Sequence, residues 1–306
     1  MNILVTGGSG FIGSHTVDLL VQEGFTTIVA DINKCEQPNP DAIYYYADFT
    51  QEGVLEEIFA RHEPEAVFHL AAQVSVELSM INPIQDVQVN VLGTLKLLEQ
   101  CRKYKAKIIF ASSAAVYGLP ESLPISETHP HNPISIYGLS KLTVEKYIQL
   151  YHEQFGIEYC ILRYSNVYGP RQGNTGEGGV ISIFLEKLMK NQIPTIFGNG
   201  EQTRDFIYVG DVARANLQAL KQGKNHVFNV ATLTETSINQ IIEILLKKLN
   251  STVRPKIQPP KKGDITRSIL DSTNMKRVIN WSPNVDITTG LALTIDYFNE
   301  TRDNKS

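Results

Sequence analysis

Asn2-Ile-Leu-Val-Thr-Gly-Gly-Ser-Gly-Phe-Ile-Gly13 decides the fold of this chain. Residues 2–6 read as a short buried strand, and Gly7, Gly8, Gly10 and Gly13 follow at once. Phe11, Ile12, Val17, Leu19 and Leu20 then recur at helical spacing. Strand, glycine turn and helix in that order form the context that gives a dinucleotide fingerprint its meaning. Gly7 permits the tight turn, Gly10 lets the backbone approach a pyrophosphate, and Gly13 lets helix and strand pack closely. Unpaired N–H groups and the dipole at the helix N-terminus face the anion. A second strand over residues 26–30 ends in Asp31, about twenty residues past the last glycine. A carboxylate there accepts hydrogen bonds from the adenosine ribose hydroxyls and repels a 2′-phosphate, which favours NAD over NADP. Asp48, after the apolar stretch 43–47, is a second polar group for the adenine end.

Outward from that unit, short apolar strands alternate with helical segments. Residues 67–70 lead to a helix expected over 83–103, 108–111 lead through a loop to a helix containing Tyr137, and 159–163 close the series. Such alternation predicts an α/β protein with a doubly wound, parallel Rossmann sheet. Residues 206–209 and 227–230 read as strands flanking a helix, so 205–231 is expected to return to the first domain. The predicted division is an NAD-binding domain of 1–165 plus about 205–231. A smaller α/β substrate domain of 166–204 plus 232–306 then caps the cleft. Gly/Asn/Pro-rich stretches at 169–179 and 194–200, and the Pro/Lys stretch at 255–263, read as pocket-shaping loops.

The bulk properties exclude several classes of partner. The chain has 306 residues, with 28 basic against 32 acidic side chains and no polybasic run, so nucleic acid and anionic membranes are poor partners. No apolar run reaches the length of a membrane span. The first strand begins at residue 2, which leaves no room for a signal peptide. Cys35, Cys101 and Cys160 are scattered and lack metal-ligand spacing, consistent with free thiols in a reducing cytoplasm. No clustered Cys/His set predicts a metal site.

Tyr137-Gly-Leu-Ser-Lys141 adds chemistry to the fold. Tyrosine and lysine four residues apart project from one helix face. An ammonium beside a phenol stabilises the phenolate, so it draws the pKa from about 10 toward neutrality. Such a tyrosine can serve as general base for a sugar or alcohol hydroxyl. Alone, the same spacing also suits an ordinary amphipathic surface helix.

Taken with the glycine turn, the motifs resemble the extended short-chain dehydrogenase/reductases that act on nucleotide sugars, and fit best the UDP-glucose (UDP-galactose) 4-epimerase family. The resemblance spans essentially the whole chain. It rests on Thr6-Gly-Gly-Ser-Gly-Phe-Ile-Gly13, His69-Leu-Ala-Ala-Gln73, Asn90-Val-Leu-Gly-Thr94, Ser112-Ser-Ala-Ala-Val-Tyr-Gly118 and the Tyr137/Lys141 stretch. Leu162-Arg-Tyr-Ser-Asn-Val-Tyr-Gly-Pro-Arg-Gln172 and Gly200-Glu-Gln-Thr-Arg-Asp-Phe-Ile-Tyr-Val209 complete it. It implies an extended dehydrogenase/reductase fold in which Ser113 hydrogen-bonds the substrate O4, Tyr137 is the base, and Lys141 binds the nicotinamide ribose. Ser112 is the competing serine, with a strand-end role of its own.

The same resemblance implies cofactor contacts from Gly7, Gly10, Phe11, Ile12, Gly13, Asp31, Asp48, Phe49, Leu70, Ala71, Ala72, Asn90, Tyr137, Lys141 and Tyr164. On the substrate side it implies Asn166 and Arg204 at the diphosphate, with backbone amides of Gly179 and Val180 beside them. The planar fork of Arg204 suits phosphate oxygens. Phe197 either covers a uracil ring or packs in the core. Lys261 stands where the family more usually has arginine, and lysine keeps the charge without the bidentate geometry. Asp264 is expected at the uridine ribose. Ser268 aligns with a position that is bulky in epimerases restricted to plain hexoses. Its small side chain therefore predicts that UDP-GlcNAc and UDP-GalNAc are accepted as well as UDP-glucose and UDP-galactose.

The implied reaction is a redox-neutral 4-epimerisation. Tyrosinate 137 takes the O4 proton while the C4 hydride moves to NAD, and the 4-keto sugar turns its other face before hydride returns. Related dehydratases carry an Asp-Glu pair, and decarboxylases a glutamate, where this chain has Ala114-Ala115. Glu121 and Glu127 in the following loop remain as candidate carboxylates. Alternatives from the same superfamily are a nucleotide-sugar dehydrogenase/reductase or dehydratase. A non-catalytic NAD-binding scaffold is the alternative of another class, and it predicts a degraded Ser/Tyr/Lys set. Helices over 83–103 and 137–155 form a homodimer in the resembled family; otherwise they simply cover the sheet.

Overall fold

The computed structural model describes residues 1–173, 179–260 and 265–303. Its strands are β1 (Asn2–Thr6), β2 (Thr26–Asp31), β3 (Ile43–Tyr46), β4 (Ala66–His69), β5 (Lys107–Ser113), β6 (Tyr159–Tyr164), β7 (Asn166–Tyr168), β8 (Thr195–Phe197), β9 (Thr203–Arg204), β10 (Phe206–Tyr208), β11 (His226–Val230), β12 (Thr236–Ser237), β13 (Lys256–Gln258) and β14 (Arg267–Ser268). Seven of them make one sheet in the order β11-β6-β5-β4-β1-β2-β3, with every neighbouring pair parallel. The order reverses between β1 and β4, the topological switch point where open α/β sheets bind ligands.

Both faces of this sheet are covered. One packs Ile3, Val5, Phe68, Ile109 and Leu162 against Val17, Leu20 and Val212. The other packs Leu4, Val67, Ile108, Phe110 and Ile161 against Leu55, Leu97, Val144 and Ile148. Burial on both sides explains why these strands read as continuous apolar runs rather than alternating ones.

A separate apolar cluster holds the smaller part together, with Tyr168, Phe184, Phe206, Ile241 and Leu245 at its centre. Its strands form short sheets, β10-β7, β12-β9-β14 and β13-β8. Within residues 205–231 the two expected strands part company. His226–Val230 joins the large sheet beside β6, whereas Phe206–Tyr208 pairs with Asn166–Tyr168 in a sheet of its own.

The helix expected over 83–103 is broken. An α-turn, Pro83–Asp86, runs into a π-helical stretch, Val87–Gly93, before α geometry resumes at Thr94–Tyr104. Two side chains flank the break. Asp86 is fully buried and turned toward Ser140, and the Thr94 hydroxyl donates to the Asn90 carbonyl at 2.6 Å. Insertions of this kind are frequent next to functional sites. The facing helix, Ile136–Phe155, starts where the Ser135 hydroxyl accepts from the Gly138 amide at 3.1 Å, and ends at Gly156 with φ 73°. Among the described residues no helix is long and apolar enough to cross a membrane, and no cluster of His, Cys, Asp and Glu is set to hold a metal ion.

Candidate active site

The C-terminal ends of the central strands open into a cavity of about 1110 Å³. Sheet order sets out its floor from Asp31 on β2, through the turn after β1 and Leu70 after β4, to Ser113 on β5 and Tyr164 on β6. The far wall comes from the smaller part, through Asn166, Gly179, Val180, Phe197 and Arg204.

At the first of these ends the glycines are demanded by distance. Gly7 has φ 73°, and a Cβ there would lie 2.6 Å from the Ala71 amide nitrogen. A Cβ on Gly13 would stand 2.0 Å from the Gly7 carbonyl oxygen. Gly10 caps the helix Phe11–Gln22 without any side-chain hydrogen bond, which leaves the helix amides for an anion. Asp31 accepts from the Ser9 and Asn33 amides, both at 2.9 Å, and burial pushes its carboxyl up. A dinucleotide fits this cradle: its bare amides suit a pyrophosphate, and its acceptor-only carboxylate suits a ribose.

Ser113, Tyr137 and Lys141 line the same cavity. The Tyr137 amide donates to the Ser79 hydroxyl at 3.1 Å, which ties the start of its helix to the neighbouring Val76–Ile81. Lys141 Nζ donates to the Ala111 carbonyl at 2.8 Å and lies 5.7 Å from the Tyr137 ring centroid. Burial draws the lysine down to about 8, with Asp86 and Glu145 opposing the shift. The two adjacent serines divide by partner. The Ser112 hydroxyl donates to Glu145 at 2.5 Å and is buried, whereas Ser113 Oγ accepts from Ala115 N at 3.1 Å and keeps its proton for a ligand oxygen.

Of the other expected cofactor residues, Phe11, Ile12, Asp48, Phe49, Leu70, Ala71, Ala72 and Tyr164 line the cavity. Asn90 does not. Its Oδ1 accepts from the Gln73 amide at 2.9 Å, and its Nδ2 donates to the Gln73 carbonyl and to Asp86. That amide supports the loop after β4 from beneath rather than presenting itself to a ligand. Ser268 also lies off the cavity lining, in register with Arg204 across β9 and β14. Lys261 and Asp264 lie outside the described residues. Arg204 Nη1 donates to the carbonyls of Thr203 and Ile265 at 2.8 and 2.6 Å.

Gln172 and Gln202 also line the cavity, though sequence reading assigned neither a role. Gln172 Nε2 donates to the Val167 carbonyl and Gln202 Nε2 to the Phe197 carbonyl. Both fall inside the motifs of residues 162–172 and 200–209, the feature of the sequence that marks them. Among the described residues, Asp31 and Asp48 are the carboxylates on the lining. Glu121 and Glu127 are not on it, and Glu127 instead accepts from the Asn229 amide at 3.0 Å.

Comparison with known proteins agrees with this geometry. The model of the NAD dependent epimerase/dehydratase family matches residues 3–231. A relative from Methanocaldococcus jannaschii is 47% identical over 300 residues, covering 96% of this chain and 97% of its own. The crystal structure of the Thermotoga maritima UDP-glucose 4-epimerase with UDP-glucose is 44% identical. It superposes with a TM-score of 0.96 over 99% of this chain and 100% of that one. The Methanobrevibacter ruminantium UDP-N-acetylglucosamine 4-epimerase, in complex with UDP-N-acetylmuramic acid, is 35% identical with a TM-score of 0.92 over 98% of each chain.

Proposed function

We propose, for a chain that belongs to the NAD dependent epimerase/dehydratase family and is an NAD-dependent epimerase-like enzyme, that it interconverts UDP-glucose and UDP-galactose by inversion at C4. The observation that carries this reading is the cavity wall itself. Ser113, Tyr137 and Lys141 share it, and among the described residues its carboxylates are Asp31 and Asp48, both on the cofactor side of the sheet. A site with a base for O4 and, among the described residues, no acid beside it can oxidise and reduce C4. None of the described lining residues outside the cofactor side is a carboxylate that could remove the C5 proton for dehydration.

NAD held by the glycine turn and Asp31 would supply the hydride chemistry at C4. Around that step the chain's own residues hold and move protons. Ser113 donates to O4, tyrosinate 137 takes the O4 proton, and the Lys141 ammonium stabilises the tyrosinate. When the 4-keto sugar presents its other face, Tyr137 gives the proton back. Holding the nucleotide firmly at Asn166, Gly179, Val180 and Arg204 leaves the hexose free to turn, and proximity supplies much of the rate. Phe197 then covers the uracil, with Lys261 and Asp264 as further nucleotide contacts. Acceptance of UDP-GlcNAc belongs to the same proposal and is supported by the Methanobrevibacter relative. With Ser268 off the cavity lining, the breadth of that pocket no longer rests on it.

The division into 1–165 plus 205–231 and 166–204 plus 232–306 is part of this reading, supported by the separate apolar cluster of the smaller part. So is a homodimer. Leu78, Ile81, Ile84, Leu139 and Leu150 leave large apolar side chains exposed on the helices Val76–Ile81, Pro83–Asp86 and Ile136–Phe155. Apolar patches of this kind mark interaction surfaces. Sedimentation equilibrium should return twice the chain mass of 34.2 kDa. A single-chain mass at micromolar concentration would remove the dimer from the proposal.

The central test incubates purified protein, without added cofactor, with UDP-glucose and separately with UDP-GlcNAc in D₂O. The expected result is the galacto isomer of each at equilibrium, with no deuterium at C5 and with NAD, not NADP, released on denaturation. Deuterium at C5, or a product lacking water or carbon dioxide, would refute the epimerase reading.

A further inference from the structure

Lys141 carries a charge in a place where charge is expensive, and the groups around it differ in what they can offer. Its side chain is 3% exposed, with Nζ 4.8 Å from the Phe110 ring centroid. Tyr137 and Glu145 face it from its own helix, His69 from the end of β4, and Asp86 from the turn before the π-helical stretch, while Arg163 on β6 stands behind Glu145. His69 lies between the hydroxyls of Thr6 and Thr94, at 2.7 and 2.8 Å, and burial pushes it down to about 3. It is neutral and supplies no counter-charge. Glu145 is committed to Arg163, which reaches its two oxygens at 2.9 and 2.5 Å. That pair is balanced within itself.

Asp86 differs from both. It is 0% exposed and has no ion pair among the described residues. Three neutral donors hold it: Ser140 Oγ at 2.5 Å on Oδ1, and Gln73 Nε2 at 2.9 Å and Asn90 Nδ2 at 3.0 Å on Oδ2. A carboxylate, which only accepts, suits three donors at once. Ser140 is the residue immediately before Lys141. A buried anion and a buried cation thus stand on adjoining elements, each without a contact partner of opposite sign among the described residues. In a low-dielectric interior their attraction acts beyond contact distance.

We propose that Asp86 is a positioning residue that works through Lys141, as the buried counter-charge that keeps the lysine an ammonium beside Tyr137. Its consequence for rate rests on the C4-oxidation reading, but its effect on the lysine does not. Burial draws Lys141 down, and Asp86 is the first of the groups that oppose it. Removing a negative charge lowers an ammonium's pKa, so neutralising Asp86 should let Lys141 lose its proton closer to neutrality.

Asp86→Asn tests this with little disturbance. The asparagine oxygen can take the two amide donors, and its NH₂ can face Ser140, whose hydroxyl accepts as well as it donates. The readout is the titration of lysine ¹³Cε signals by NMR in the full chain, with Lys141 identified as the signal missing from Lys141→Arg. The expected midpoint in Asp86→Asn is lower by about one pH unit. A midpoint equal to that of the unsubstituted protein overturns the inference. So does a Lys141 already neutral at pH 7 in the unsubstituted protein, a result that needs no variant. With UDP-glucose as substrate, the alkaline limb of kcat should move down with the midpoint, whereas a merely structural role would lower kcat equally at every pH. Absence of turnover in the unsubstituted protein would count against the epimerase reading and leave the titration result standing.

Discussion

Tyr137→Phe should lower kcat for UDP-glucose/UDP-galactose interconversion by about 10²–10⁴-fold, the range that a positioned general base contributes. The substitution removes one oxygen and leaves the ring. The helix start is held by the Tyr137 amide on Ser79 and by the Ser135 cap, neither of which involves the phenol. Folding and cofactor retention should therefore be unchanged, and the loss should fall on kcat rather than KM. Activity within tenfold of the unsubstituted protein would remove Tyr137 as the base. The measurement is initial rate against substrate concentration, with bound NAD quantified in the same samples, so that a lost cofactor is not mistaken for a lost base.

Arg163→Met should destabilise the protein by about 3–5 kcal/mol, the usual effect of removing one partner from a buried ion pair. Arg163 and Glu145 side chains are 3% and 1% exposed. Arg163 also donates from Nη1 to the Tyr117 hydroxyl at 2.9 Å and to the Glu127 carbonyl at 3.1 Å. Without the guanidinium, Glu145 keeps a single donor from Ser112 and sits as a bare charge between the sheet and the helix of Tyr137. Against a typical total of about 5–15 kcal/mol, the loss is a large fraction. Denaturant unfolding should show a lower midpoint at similar slope, and adding Glu145→Gln should recover part of it by removing the stranded charge. A midpoint unchanged in the single variant would show that the pair contributes nothing net. A double variant weaker than the sum of the singles would show that it is the packing, not the charge, that matters.

These two expectations differ in how far they could be read from the chain. Tyr137 and Lys141 announce themselves by spacing, because four residues along a helix return to the same face wherever the helix lies. The glycine turn is similarly local: its glycines answer to a positive φ at Gly7 and to a carbonyl six residues before Gly13. Glu145 and Arg163 carry no such mark. They lie eighteen residues apart, on a helix and the strand after it, and only the docking of that helix on the sheet brings them together. Asn90 shows the reverse case, since a motif pointed to it as a cofactor contact and the π-helical turn aims its amide at Gln73 instead.

What this sequence determines by itself is the periodic and the local: strands buried on both faces, a glycine turn opening a helix, an acid at the end of β2, and a tyrosine and lysine one turn apart. Tertiary structure decides everything that depends on which distant segments meet. The strand order places Ser113, Tyr137 and Lys141 on one cavity with Asp31. Packing chooses Ser113 over Ser112 by giving the latter's proton to Glu145. Depth leaves Asp86, among the described residues, a carboxylate held only by neutral donors near Lys141. The physical reason is that backbone geometry follows from neighbours in the chain, whereas the worth of a charge or a proton follows from the solvent and partners that the folded interior removes or supplies.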